Sequence, residues 1–195
     1  MYALFTNVLI LVFAIQEGGH IQFSLGPNYS VFQLFQDEEE TETQWSFSGE
    51  FEMRDFIPHL GLKVRGTKLN FERSSAFGTY RYEYLPLTLC TSFDILPFIH
   101  SRWFRLSAET GIGIYLWKGF LNDEIITLPS GEKMEERDIG FIGGFTLQLI
   151  PLRFIGIEFS SRYNYLASSD IYKYGFYDKD EKIWENGLGL KLILP

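Results

Sequence analysis

The residue types that most often carry out enzyme chemistry are scarce in this chain. Among 195 residues there are three histidines, His20, His59 and His100, and one cysteine. No histidine has a cysteine, an aspartate or a second histidine at the spacing of a metal site. Cys90 has neither a pairing partner nor a neighbouring base, so we interpret it as a small interior residue and not as a nucleophile. The sequence therefore predicts no catalytic residue, no cofactor and no metal.

A second kind of chemistry is the pairing of opposite charges. Arg105 and Glu109 share one face of a predicted strand, and Glu158 and Arg162 share one face of another. Four residues along a strand cover about 13 Å, so neither pair is expected to meet within its own strand. We therefore expect cross-strand partners in an interior charge network that blocks free passage of solutes. Its predicted members are Arg81, Glu83, Arg105, Glu109, Glu158, Arg162 and Lys191.

Strands must position these charges, because side-chain polarity alternates with a period of two along most of the chain. The last predicted strand, for example, places Leu190 and Leu192 on one face and Gly189 and Lys191 on the other. A change of parity near Pro86 predicts a bulge there. No comparable helical period occurs. The predicted strands are eight: residues 20–35, 45–56, 60–74, 79–93, 100–118, 138–150, 153–167 and 183–194.

The connections between these strands alternate in length. Three short turns, at residues 56–59, 95–98 and 149–152, each place an aliphatic residue before a proline. The long polar connections are residues 37–44, 122–137 and 168–182. Short turns at one end and long loops at the other are typical of outer-membrane barrels. The predicted fold is all-β, an eight-stranded antiparallel up-and-down transmembrane β-barrel.

Alternation alone also fits a soluble, secreted or periplasmic lipocalin-like barrel that binds an apolar ligand, with its apolar face inward. Two features favour the membrane barrel. The polar face is rich in glycine and serine, which suits a narrow interior. Aromatic residues gather near strand ends, as expected for girdles at two membrane interfaces. The predicted girdle residues are Trp45, Phe56, Tyr80, Tyr82, Phe98, Trp103, Phe154, Tyr163, Tyr165 and Trp184.

The N-terminus predicts export. Residues 8–15 form the longest unbroken apolar run, which suits a signal peptide and is too short for a transmembrane helix. We expect a signal peptide at residues 1–16, a barrel domain at residues 17–195 and localisation in the outer membrane of a diderm bacterium. The formal net charge of -8 argues against a nucleic-acid partner. The expected partners are outer-membrane lipids, lipopolysaccharide and a surface partner bound through the long connections.

One segment carries a family resemblance. Tyr82-Glu83-Tyr84-Leu85-Pro86-Leu87, followed by the short turn at Leu96-Pro97-Phe98, resembles the Tyr-x-x-(Ile/Leu)-Pro-Leu hairpin of small outer-membrane β-barrel proteins, the porin-like and OmpA/OmpX-type families. Gly111-Ile112-Gly113, which precedes the long connection at 122–137, also resembles these families. The resemblance covers essentially the whole mature chain and implies a structural or surface-interaction role.

A weaker resemblance supports a second alternative, a lipid A-modifying outer-membrane enzyme. Residues 162–168 resemble the segment of lipid A deacylases that carries a His-x-Ser pair. Tyr165 stands where the histidine would be, and Ala167 stands where the serine would be. Serine–histidine chemistry needs an imidazole to accept the hydroxyl proton, so we do not expect an enzyme.

Overall fold

The computed structural model describes residues 21–36, 40–76, 78–95, 103–167 and 180–194. Their strands are β1 (Gln22–Gln36), β2 (Glu40–Ile57), β3 (Leu60–Thr67), β4 (Leu69–Ser75), β5 (Gly78–Asp94), β6 (Phe104–Leu121), β7 (Glu124–Ile125), β8 (Glu135–Leu152), β9 (Ile155–Ala167) and β10 (Glu181–Leu194). No helix in these ranges is long and apolar enough to cross a membrane. The predicted signal peptide, Phe98 and most of the connection at 168–182 lie outside the described residues.

The strands close into one barrel. Neighbouring strands are antiparallel, β1 pairs with both β2 and β10, and the pairing of β5 with β6 completes the ring. Strands β3 and β4 both pair with β5 and form one wall strand that is interrupted at Lys68. Strand β7 belongs to a hairpin in the long connection at 122–137. The wall thus has eight strands, and the predicted fold class is confirmed.

The wall strands extend further towards the long connections than the sequence predicted. Strand β2 begins at Glu40 instead of residue 45, β6 ends at Leu121 instead of residue 118, and β8 begins at Glu135 instead of residue 138. Parts of the predicted loops 37–44 and 122–137 are therefore strand. The alternation of apolar and polar residues fades there because these ends do not face lipid.

The bulge predicted near Pro86 is absent. The register between β5 and β6 is continuous from Tyr80↔Leu121 to Asp94↔Ser107. Tyr84 points into the barrel and is 2% exposed. The sequence pattern assigns the tyrosines of this strand to the lipid-facing side, and the apparent change of parity comes from that assignment. The irregularities that do occur in this wall lie beside short turns, between Arg54 and Ile57 and between Leu149 and Leu152.

Several wall strands exchange the polarity of their faces along their length. In the half near the short turns, apolar side chains such as Ile112 point outward and charged ones such as Glu109 point inward. In the half near the long connections, β4 points Leu69 and Phe71 inward and Glu72 outward. The first arrangement suits a barrel in lipid and the second suits a barrel in water.

The outward apolar band matches the thickness of a membrane. On β10 it extends from Trp184 to Leu194. These positions are about 33 Å apart along the strand, and a tilt of about 40° reduces that to about 25 Å along the barrel axis. An apolar band of about 25 Å is what lipid-facing surfaces of outer-membrane barrels present.

Candidate functional site

A continuous layer of ion pairs crosses the interior of the barrel. Counted over the described residues, it joins four carboxylates and four cations, which we call the central network. Its members are Glu50 on β2, Lys63 and Arg65 on β3, Glu109 on β6, Glu158 and Arg162 on β9, and Glu185 and Lys191 on β10. Each member is at most 5% exposed, so these charges are compensated by each other and not by water.

Arg162 is the hub of the central network. Its Nε lies 2.7 Å from Glu109 Oε2, and its Nη2 lies 3.1 Å from Glu50 Oε2. The same Nη2 lies 3.3 Å from Glu158 Oε1, and Nη1 lies 3.4 Å from Glu185 Oε1. A guanidinium carries five donors in a fixed plane, so one arginine can bridge carboxylates from several strands.

Lys63 and Lys191 neutralise the point where carboxylates converge. Ligand oxygens of Glu50, Glu52 and Glu158 lie within 4.8 Å of one another, close enough to surround a cation. The Lys63 ammonium lies 2.9 Å from Glu50 and 3.2 Å from Glu158. Lys191 also contacts Glu50 and lies 3.7 Å from Glu158. The two ammonium groups, together with Arg54, which pairs with Glu52, thus supply three positive charges for the three converging carboxylates.

Hydroxyl groups complete the hydrogen bonding of the network. Thr146 Oγ1 donates to Glu109 Oε1 at 2.8 Å, and Ser30 Oγ donates to Glu185 Oε1 at 3.0 Å. Ser160 Oγ accepts from Arg162 Nη1 at 3.1 Å. Small hydroxyl side chains fit between the long charged ones, which explains why serines share the inward face.

The structure brings together four of the seven predicted network residues, namely Glu109, Glu158, Arg162 and Lys191. The expectation that Glu158 and Arg162 cannot meet within one strand was wrong. Both side chains lie along the inner surface of β9, and their combined length covers the distance between their backbones. Arg105 and Glu109, by contrast, form no pair with each other among the described contacts.

Arg105 lies at the short-turn end of the interior, apart from the central network. Its guanidinium lies 3.6 Å from both Asp55 Oδ2 and Asp94 Oδ2. Arg54 shares this cluster, with Nη1 2.9 Å from Asp94 Oδ1 and Nε 2.6 Å from Glu52 Oε1. A second set of ion pairs therefore lies at the short-turn end of the interior.

Arg81 and Glu83 lie on the outer surface, so their predicted place in the interior was wrong. Arg81 Nη1 lies 2.6 Å from Asp123 Oδ1, and its guanidinium stacks over the ring of Phe120. Glu83 pairs with Lys68 at 3.2 Å. Both residues stand beyond the outward apolar band, where the outer face is polar.

An apolar layer fills the interior on the long-connection side of the central network. We call it the apolar layer. Its rings and aliphatic side chains come from β1, β4, β5, β6, β9, β10 and the connection at 122–137. Its members are Phe32, Leu34, Leu69, Phe71, Tyr84, Tyr115, Trp117, Met134, Leu166 and Ile183. Ile126 and Leu128 of the connection at 122–137 pack against the apolar layer, so this hairpin lies at the long-connection end of the interior.

The wall has one seam beside the apolar layer. Pairing between β2 and β3 stops at Ser48↔Thr67. On the long-connection side of this pair, no backbone pair joins the described residues of β2 to β4. Side chains bridge the seam instead. Ser46 Oγ donates to Lys68 O at 2.6 Å, Thr67 Oγ1 donates to Phe47 O at 2.8 Å, and Gln44 Oε1 accepts from the backbone N–H of Asn70.

The predicted girdle residues divide between the two faces. Outward positions are held by Trp45, Trp103, Phe154, Tyr163, Tyr165 and Trp184. Tyr163 packs edge-on against Trp184, and the Tyr165 hydroxyl donates to Asp180. Phe56 is half-buried next to a short turn. Tyr82 packs against the apolar layer and Tyr80 shares its inward face, so these two do not belong to a lipid-facing girdle.

Sequence reasoning missed half of the central network, namely Glu50, Lys63, Arg65 and Glu185. The signal was present for two of them, because Lys63 and Arg65 alternate with Leu62 and Val64. Cys90 does lie inside the barrel and is buried, with its sulfur close to Gly111. An added Cβ at Gly111 would come within 2.7 Å of that sulfur.

No family model matches the sequence, and no curated protein matches it. Solved structures do resemble it. The crystal structure of Ail from Yersinia pestis aligns with a TM-score of 0.58 at 17% identity, over 90% of this chain and 99% of that chain. A major outer membrane protein from Thermus thermophilus aligns with a TM-score of 0.66 at 10% identity, over 89% and 99%. The chain has the fold of the small outer-membrane β-barrels.

A third structure of this fold is Neisserial surface protein A, with a TM-score of 0.53 at 14% identity over 87% of this chain and 96% of that chain. The alignments span nearly the full length of each relative. They cover about nine tenths of this chain. The predicted family resemblance is confirmed at the level of fold.

Proposed function

We propose that the protein is exported and resides in the outer membrane as a closed barrel with a structural or surface-interaction role. It is neither a general pore nor an enzyme. The observation that carries this proposal is the double closure of the interior, by the central network and by the apolar layer. Two closures of opposite chemistry leave neither a polar nor an apolar path along the barrel axis.

The placement in a membrane rests on the two faces of the wall. Side chains such as Phe141 and Phe145 are more than half exposed on the outside, whereas Lys63 and Arg162 are buried inside. A lipocalin-like barrel in water needs the reverse arrangement along its whole length. The soluble alternative is therefore unfavourable, since it would expose the apolar band to water.

The strand ends beyond the apolar band support a role in surface interaction. They place the described connection at 122–137 beyond the apolar band. Ail has been crystallised with the heparin analogue sucrose octasulfate. This chain carries a net charge of -8 and an acidic run at residues 37–42, so its connections favour a cationic partner or lipopolysaccharide bridged by divalent cations.

Fractionation and gel mobility test the location and the closed barrel. The protein should be recovered with outer membranes, without residues 1–16, and an unboiled sample should migrate differently from a boiled one. Recovery in the soluble fraction with Met1 retained would contradict the proposal.

Planar-bilayer conductance tests the closure. The unaltered protein should show no large, steady channel. Glu109→Ala or Arg162→Ala, each combined with Phe71→Ala in the apolar layer, should give a small conductance that the unaltered protein lacks, because each combination weakens both closures. A large open channel from the unaltered protein would refute the plug, and Glu135→Ala combined with Phe71→Ala, which leaves the central network intact, is the matched control.

A further inference from the structure

We propose that the seam between β2 and β4 admits a single aliphatic chain, of the fatty-acid type, from the outer leaflet into the apolar layer. The inference rests on the proposed membrane location and adds a binding site to it. The site is the apolar layer, and the entrance is the gap that Gln44, Ser46 and Thr67 bridge.

The wall is weakest at this seam. Other neighbouring wall strands are joined by long runs of backbone pairing, continuous between β5 and β6 and between β9 and β10, and shifted in register beside two short turns. On the long-connection side of Ser48↔Thr67, the described contacts that cross from β2 to Thr67, Lys68 and β4 are side-chain hydrogen bonds of Gln44, Ser46 and Thr67. Such bonds exchange with water more readily than a cooperative backbone ladder, so the seam can open without unfolding the barrel.

What lies behind the seam is apolar, although the rest of the interior is charged. Leu69 and Phe71 project inward from β4 itself, and each is 1% exposed. The ring of Phe71 packs edge-on against Tyr84, with 5.9 Å between centroids. An entering chain takes the place of this contact when the Phe71 ring rotates away. The same surroundings exclude a charged or sugar-like molecule, since they offer it few hydrogen-bond partners.

What lies in front of the seam is lipid-like. Trp45 and Phe47 stand on the outer face of β2, and Phe47 is 69% exposed. The Trp45 ring stacks on Tyr29 with 5.2 Å between centroids, and the Phe47 ring packs against Tyr29 at a tilt with 4.6 Å between centroids. Immediately beyond them is the exposed ammonium of Lys68, which pairs with Glu83 on the surface. Rings beside a cation suit a molecule with an aliphatic chain and an anionic head.

The depth of the site is set by the central network. An aliphatic chain that enters the apolar layer meets buried charges on the short-turn side and cannot pass them. Strand β3 carries both regions, since Arg65 belongs to the network and the neighbouring inward position, Thr67, borders the seam. The molecule is therefore bound and not transported across the membrane.

Trp117 provides a direct test, because it is a buried member of the apolar layer. In protein folded into vesicles, with Trp45, Trp103 and Trp184 replaced by Phe, a fatty acid brominated at mid-chain should quench Trp117 fluorescence saturably. The unbrominated fatty acid should compete. Absence of saturable quenching in protein that still shows the unboiled gel shift would overturn the inference and leave the proposed function intact.

A crosslink tests the route. With Cys90 replaced by Ala, Trp45→Cys and Asn70→Cys place thiols on either side of the seam, to be joined by oxidation or by a short bis-maleimide. Crosslinking should reduce quenching of Trp117 at least tenfold. The matched control joins Ser161→Cys to Asn186→Cys, which are directly opposed on the continuous pair β9 and β10, and should change nothing. Equal quenching in the two crosslinked proteins would refute the seam as the entrance.

A second variant does not depend on crosslinking. Gln44→Ala with Ser46→Ala removes the hydrogen bonds that these two side chains make across the seam, and the onset of quenching should become several times faster. Thr79→Ala with Ser130→Ala, at outer positions away from the seam, serves as the control. Identical rates in both double variants would contradict an opening at the seam.

Discussion

At the scale of single residues, Arg162 illustrates how one side chain can decide whether the interior is neutral. It contacts four carboxylates from β2, β6, β9 and β10. Only a side chain with several donors in one plane can do so, and lysine would leave some of these oxygens without a partner. The interior is therefore sensitive to the geometry at this position as well as to its charge.

Arg162→Ala should lower the free energy of unfolding in bilayers by about 3–5 kcal/mol, because it leaves buried carboxylates without their partner. Denaturant titration followed by the gel shift measures this. Arg137→Ala is the control, since Arg137 is exposed outside the apolar band. Equal stability of the two variants would show that the network does not support the fold.

A double-mutant cycle at the same site separates the pair from its surroundings. Arg162→Ala combined with Glu109→Gln should be less destabilising than the sum of the single changes, because the second substitution removes a charge that the first left uncompensated. A coupling of about 0.5–3 kcal/mol is typical for side chains in direct contact. Strict additivity would mean that Glu109 does not depend on Arg162.

At the scale of elements, the sequence predicted which segments are strands but not which environment each end occupies. The alternation around Leu190 and Lys191 marks both faces clearly, because lipid and a narrow interior select opposite residue types. Around Tyr82 and Tyr84 the signal fails, since tyrosine suits a girdle, an interior or water. Near the long connections, apolar side chains such as Leu69 point inward instead of outward. Period-two alternation looks the same in both arrangements, so it does not reveal which face is apolar.

Substitutions on the two faces of a lipid-spanning strand should have different costs. Ile112→Arg or Leu147→Arg should destabilise by about 2–4 kcal/mol, because lipid near the midplane cannot solvate the charge. Lys118→Leu, on the outer face of the same strand as Ile112 but beyond the band, should cost far less. Refolding yields in vesicles measure the difference. Similar costs at all three positions would show that the membrane boundary is misplaced.

Truncating a side chain of the apolar layer should lower the stability of the barrel as truncating a core side chain does in a water-soluble domain. Phe71→Ala should destabilise by about 3–5 kcal/mol, as in the core of a water-soluble domain, because it leaves a cavity beside Tyr84. Phe141→Ala on the lipid face is the matched control, and it should cost less, since lipid fills the vacated space. Denaturant titration of both variants in bilayers compares the two losses. A larger loss for Phe141→Ala would contradict the exchange of faces along the strands.

At the scale of the whole molecule, the outer surface of the barrel suits lipid in the half near the short turns and water in the half near the long connections. The half near the short turns has apolar side chains outside and buried charges inside, and the half near the long connections holds buried rings inside. Neither interior layer was predictable in full, because residues as distant in sequence as Glu50 and Lys191 meet only when the ring is complete. The count of eight strands, by contrast, follows from local alternation and turns alone.

The central network also constrains the order in which the protein can be assembled. The hairpin of β2 and β3 carries two of its cations but one of its carboxylates, and β6 carries a carboxylate alone. A sheet inserted one hairpin at a time would therefore bring uncompensated charge into hydrocarbon. Arg65 meets Glu185, and Glu50 meets Lys191, only when β10 is in place. We therefore expect insertion of this chain to be all-or-none, with the final strand as the step that commits it to the membrane.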